Sequence, residues 1–121
     1  MKKILIVDDN EDVLTVLGKR LFNAGYQVIK AKNGQEGVAK AKTELPNLII
    51  LDIIMGDVYG SDVAQILKED NNTKDIPVIF LTCLYTKKDE EAEGHLIKKN
   101  FFIAKPYDSA ELLKIVQEKI R

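Results

Sequence analysis

A chain of 121 residues is long enough to bury one real core and too short for two domains. Apolar residues at 45%, charged residues at 31% and a net charge of −1 describe an ordinary water-soluble chain with no general attraction to nucleic acid or anionic lipid. No apolar run approaches membrane-spanning length, and the four apolar residues 4–7 after Met1-Lys2-Lys3 are too few for a secretory signal.

Taken in chain order, short aliphatic runs alternate with amphipathic stretches of helical period. Residues 4–7 predict a first strand that runs directly into Asp8-Asp9. Leu14, Leu17 and Leu21 then share one helical face, and that helix stops near Gly25. Gln27–Ala31 is a weaker second strand. A second helix begins around Asn33, with Glu36 three residues on as a capping pair, and ends before Pro46. The third strand, 48–51, leads into Asp52, and a third helix carries Val63, Ile66 and Leu67. The fourth strand, 78–81, ends at Thr82. A charge-dominated helix over 87–98 has the weakest apolar stripe, and Phe101–Ala104 is the fifth strand, followed by Lys105-Pro106. The last helix opens at Asp108, with Glu111 three on, and aligns Leu112, Val116 and Ile120.

Five βα units in this order predict an α/β fold with an open, doubly wound parallel sheet, in one domain over residues 1–121. The sequence shows no output domain after Arg121, so either the protein works alone or this is part of a longer chain. Ligands of such sheets sit beyond the carboxyl ends of the strands, near the point where strand order reverses. Asp8, Asp9, Asp52, Thr82 and Lys105 all lie at predicted strand ends, so three carboxylates, a hydroxyl and an ammonium are expected to meet at one rim. Like charges within several Å disfavour one another's ionised form. A hard divalent cation, Mg²⁺ or Mn²⁺, removes the conflict, because it prefers carboxylate and water oxygens and leaves positions open for phosphate. One carboxylate can then attack phosphorus to form an aspartyl-phosphate, with Lys105 and Thr82 on the phosphoryl oxygens.

The chain resembles the receiver domains of two-component response regulators, including the single-domain chemotaxis regulator, over essentially its whole length. The shared motifs are Ile6-Val7-Asp8-Asp9, Leu51-Asp52-Ile53-Ile54-Met55 with Gly60, Leu81-Thr82, and Lys105-Pro106, in the family's order and close to its separations. No single motif is specific; the set is. The resemblance implies a (βα)5 flavodoxin-like fold with strand order 2-1-3-4-5. It implies Asp52 as phosphoacceptor, Asp9 and Asp52 as direct metal ligands, Asp8 acting through water, and the backbone carbonyl of Ile54 as a third ligand. Thr82 and Phe102 are implied as the switch pair, and the Lys105-Pro106 bond as cis. It implies a sensor histidine kinase or histidine phosphotransfer protein as donor, a downstream protein that reads the face of the fourth helix, fifth strand and fifth helix, and a phosphorylation-dependent homodimer on that face. The domain would be a cytoplasmic signalling protein that assists its own phosphorylation rather than an enzyme, with no direct nucleic-acid or membrane contact. The single cysteine, Cys83, which cannot form an internal disulfide, agrees with that compartment.

Departures from the family pattern are Gly56 where proline is usual, Cys83 where a smaller residue is usual, and Lys98-Lys99-Asn100 before the fifth strand. Blander readings stand beside the sharp ones. Asp8-Asp9 could simply cap the first helix, Phe102 could be a core aromatic, and His95 reads as a solvated surface residue. Asn71-Asn72-Thr73 matches a glycosylation sequon that a cytoplasmic protein does not use. Two other functions compete: a pseudo-receiver that binds partners without phosphorylation, and a flavin carrier on the same type of sheet. The second would need a phosphate-cradling loop where Asp8-Asp9 stands.

Overall fold

Five parallel strands form a single sheet in the order β2-β1-β3-β4-β5 in this computed structural model. They are β1 Lys3–Val7, β2 Gln27–Ala31, β3 Leu48–Asp52, β4 Val78–Thr82 and β5 Phe101–Ala104. Among the described residues the helices are α1 Glu11–Asn23, α2 Gly34–Glu44, α3 Gly60–Glu69 and α4 Ser109–Lys119. The structure describes residues 1–52, 60–82, 101–104 and 109–120. The expected helix over 87–98 lies outside them.

The central strands β1, β3 and β4 are buried on both faces, which is why they read as apolar runs rather than alternating ones. Leu5, Val7, Ile49, Leu51 and Phe80 pack on one side with Ala41 of α2 and Val63, Ala64 and Leu67 of α3. Ile4, Ile6, Leu48, Ile50, Ile79 and Leu81 pack on the other, with Leu14, Leu17 and Leu21 of α1 and Leu112, Ile115 and Val116 of α4. Successive residues of β1 and β3 thus serve opposite layers, as the pleat requires.

Helix ends follow local chemistry. At the end of α1, Gly25 has φ +99, and its N–H reaches Phe22 O at 3.0 Å while the N–H of Tyr26 reaches Leu21 O at 3.2 Å. This paired closure needs a left-handed residue, which glycine supplies without steric cost. The start of α2 bears out half of the expected capping pair. Asn33 Oδ1 accepts the N–H of Glu36 at 2.8 Å, but the Glu36 carboxylate turns to Lys40 at 3.0 Å. Leu45 ends α2 in the left-handed region, φ 47, just before Pro46. Ile66 departs from expectation: it is 44% exposed, and Ala64 takes its place in the core. The buried arc of α3 runs through 63, 64 and 67, and the 100° step per residue carries position 66 past its edge.

Candidate functional site

The register of the sheet builds the site. Val7 pairs with Leu51 across β1 and β3, so Asp8, one residue past β1, and Asp52, the last residue of β3, stand at the same level of the sheet's edge. These two strands flank the reversal of strand order, since the chain goes outward from β1 to β2 and then returns to β3 on the other side. The Asp8 N–H still bonds Ala31 O of β2 at 3.1 Å, which extends the ladder one residue past β1.

Asp8, Asp9 and Asp52 each offer a carboxylate oxygen, and these oxygens all lie within 4.8 Å of one another. Asp8 and Asp52 are nearly enclosed, at 2% and 8% exposure, whereas Asp9 is exposed. Carboxylates buried to this degree need hydrogen bonds, an opposite charge or a cation. Three hard oxygen donors, two sunk in the rim and one at the surface, suit a divalent ion that keeps several waters and an open position.

The loop that carries two of the acids is tightly made. Asp8 Oδ1 accepts the N–H of Asn10 at 2.9 Å, and Asn10 Oδ1 in turn accepts from Asp12 N at 2.9 Å and Val13 N at 3.4 Å. Asn10 is therefore the cap of α1. The aspartate pair does not cap that helix, and its alternative reading as a plain cap falls to the residue beside it. Sequence reasoning passed over Asn10, although an asparagine just before an apolar-periodic stretch is a standard cap signal. It also passed over Thr73, whose buried hydroxyl donates to Leu67 O at 2.6 Å and closes the end of α3. In the supposed sequon, that threonine serves the fold.

Thr82 ends β4, where its backbone pairs with Ala104 of β5, and Phe102 pairs with Phe80. Their side chains lie outside the described parts, as do Ile54, Gly56, Cys83, His95, Lys105 and Pro106. Among the expected site residues, the structure thus brings together the three aspartates. No helix among the described residues is long and apolar enough to cross a membrane.

A parallel sheet of this order is the flavodoxin-like α/β fold, and here carboxylates gather at its switch point. Comparison with known proteins narrows the class. A family model for the response regulator receiver domain matches residues 4–117, and the chain belongs to that family, the receiver domains of two-component systems. It is 37% identical over 119 residues to protein PilH of Pseudomonas aeruginosa, covering 96% of this chain and 95% of PilH. The chemotaxis protein CheY4 of Vibrio cholerae superposes with a TM-score of 0.90 at 28% identity, with 99% of each chain covered. Response regulator TrrA of Thermotoga maritima, solved in complex with Mg²⁺-BeF, gives 0.87 at 29% identity, over 99% of this chain and 100% of TrrA. Several transcriptional regulators also match, and the chain spans about half of their length.

Proposed function

We propose that this receiver takes a phosphoryl group onto Asp52 from a phosphohistidine of a sensor kinase or phosphotransfer protein. The observation that carries the reading is the gathering of Asp8, Asp9 and Asp52 within 4.8 Å at the switch point of the sheet. An oxygen of Asp52 bonds to phosphorus while the P–N bond of the donor breaks and its electron pair returns to the imidazole. As the family resemblance implies, Asp9 and Asp52 would hold Mg²⁺ or Mn²⁺ directly, Asp8 would act through water, and the Ile54 carbonyl would add a ligand. Bound there, the cation neutralises charge on the oxygens of the transferring group. TrrA, with its Mg²⁺-BeF complex, supports the assignment by similarity.

In this reading Lys105 pairs with one phosphoryl oxygen, and the Thr82 hydroxyl hydrogen-bonds another. The inward movement of Thr82 vacates space that Phe102 fills, and the face formed by 87–98, β5 and α4 changes for a downstream protein or a second copy. Ligands and partners act by favouring one of the two states. Residues 1–121 work as one receiver domain in the cytoplasm.

Incubation with acetyl phosphate and Mg²⁺ tests the chemistry. The intact mass should rise by about 80 Da, the increment of one phosphoryl group, and Asp52→Asn should abolish the rise. An unmodified wild type, or an equal adduct on the variant, rules out Asp52 as acceptor and leaves the pseudo-receiver reading in its place.

A further inference from the structure

Two of the three carboxylates in the cation site sit on consecutive residues of a loop, and a loop by itself does not hold side chains still. Asp8 is anchored upstream, because its N–H belongs to the β1–β2 ladder through Ala31 O. Among the described residues, Asp9 has no such bond to the sheet. The loop is tied on its downstream side by Asn10, through three kinds of contact. The Asn10 N–H donates to Asp8 Oδ1, the Asn10 side chain accepts from Asp12 and Val13 in the first turn of α1, and the Asn10 carbonyl accepts the N–H of Leu14 at 3.2 Å. Leu14 is itself core, 4% exposed, so the tie ends in fixed packing. Asn10 φ −91, ψ 111 is extended backbone that many residues adopt, so the side chain rather than the backbone conformation is the special feature.

We propose that Asn10 is a positioning residue for the cation site. Its cap locks the start of α1 and, through that, the N–H that orients Asp8 and the short segment on which Asp9 rides. This inference deepens the function proposed above and rests on the acidic cluster holding a divalent cation. Groups behind metal ligands typically govern affinity by 10- to 100-fold when removed, although they touch no metal.

The fold contains its own control. Asn33 caps α2 in the same way, with Oδ1 on the Glu36 N–H at 2.8 Å, but its segment carries none of the three carboxylates. Asn10→Ala and Asn33→Ala should therefore lower the thermal midpoint by comparable amounts and differ at the cation. Titration of the purified chain with MgCl₂ by calorimetry, repeated with Mn²⁺ followed by its paramagnetic resonance, reads the affinity directly. Asn10→Ala should weaken binding about tenfold or more, Asn33→Ala should leave it within about twofold, and Asn10→Ser, which keeps a capping oxygen, should restore it. Equal affinity for Asn10→Ala and the wild type overturns the proposal while leaving the cation site intact. An equal loss in Asn33→Ala also overturns it, because cap loss anywhere would then suffice. Failure of the wild type to bind either ion defeats the underlying reading of the cluster, and the proposal with it.

Discussion

Two buried helical glycines make opposite demands on the fold. At Gly37 in α2, an added Cβ would stand 2.9 Å from both γ-methyl groups of Val7. Val7 is 1% exposed, lies in the core and immediately precedes Asp8, so neither partner can yield without moving the end of β1. Gly37→Ala should cost about 1–3 kcal/mol, the usual range for overpacking, and urea unfolding would measure it. At Gly18 in α1 the closest atom is Lys30 Cε at 2.7 Å, the far end of a flexible and exposed side chain, and Val28 Cγ1 at 3.5 Å is an ordinary contact. Lys30 can swing away, and alanine gains about 1 kcal/mol of helix propensity over glycine. Gly18→Ala should therefore be neutral or stabilising. The reverse order of the two variants would show that the close approach of α2 to β1 has been misread.

Between elements, α2 shows how one side chain serves several purposes. Lys40 pairs with Glu36 one turn back, and its ammonium also donates to the Lys30 carbonyl of the edge strand β2. The hydrogen bond from Lys40 holds the Glu36 carboxyl below the usual carboxylate range, against a smaller opposing push from burial. A carboxyl whose folded pKa is depressed adds stability above its unfolded value and loses it as pH falls through the folded value. Both partners are about a third exposed, so solvent screens much of the effect. Glu36→Gln should cost about 0.3–0.5 kcal/mol at pH 7, and the difference from wild type should vanish once acid has protonated the folded carboxyl. A gap that persists in acid would assign the effect to packing or to the helix cap. Just past the end of α2, its C-cap Leu45 holds a left-handed conformation that costs a non-glycine residue roughly 1–2 kcal/mol. The turn into Pro46 and β3 is kept despite it.

For the molecule as a whole, the proposed cation would act on stability through the crowded acidic rim. The three carboxylates have oxygens within 4.8 Å of one another, which disfavours their ionised forms, and a cation that bound only the folded state would add stability by mass action. At a hundred times its dissociation constant, Mg²⁺ contributes about 2.7 kcal/mol, or roughly 10 °C in thermal midpoint for a domain of this size. Asp9→Asn should melt higher than wild type in chelator and should lose most of the Mg²⁺-dependent rise. Equal rises in the two proteins would take Asp9 out of the cation site.

Much of this was legible before any fold was known, because neighbours along the chain carry the signal. All five strands stand where their apolar runs placed them, and Gly25 and the Asn33 cap end and begin helices as their chemistry demands. The family motifs also pointed to the acids at the first and third strand ends. Ile66 was misjudged because an apolar stripe at helical spacing does not say where the buried arc stops. Asn10 was overshadowed by the two aspartates before it. What local pattern could not decide was proximity. Only the pairing of Val7 with Leu51 sets Asp52 beside Asp8, and only the crossing of α2 over β1 makes Gly37 indispensable. Periodicity is set by residues three or four apart, whereas these approaches depend on which strands choose each other, and that choice belongs to the packed sheet.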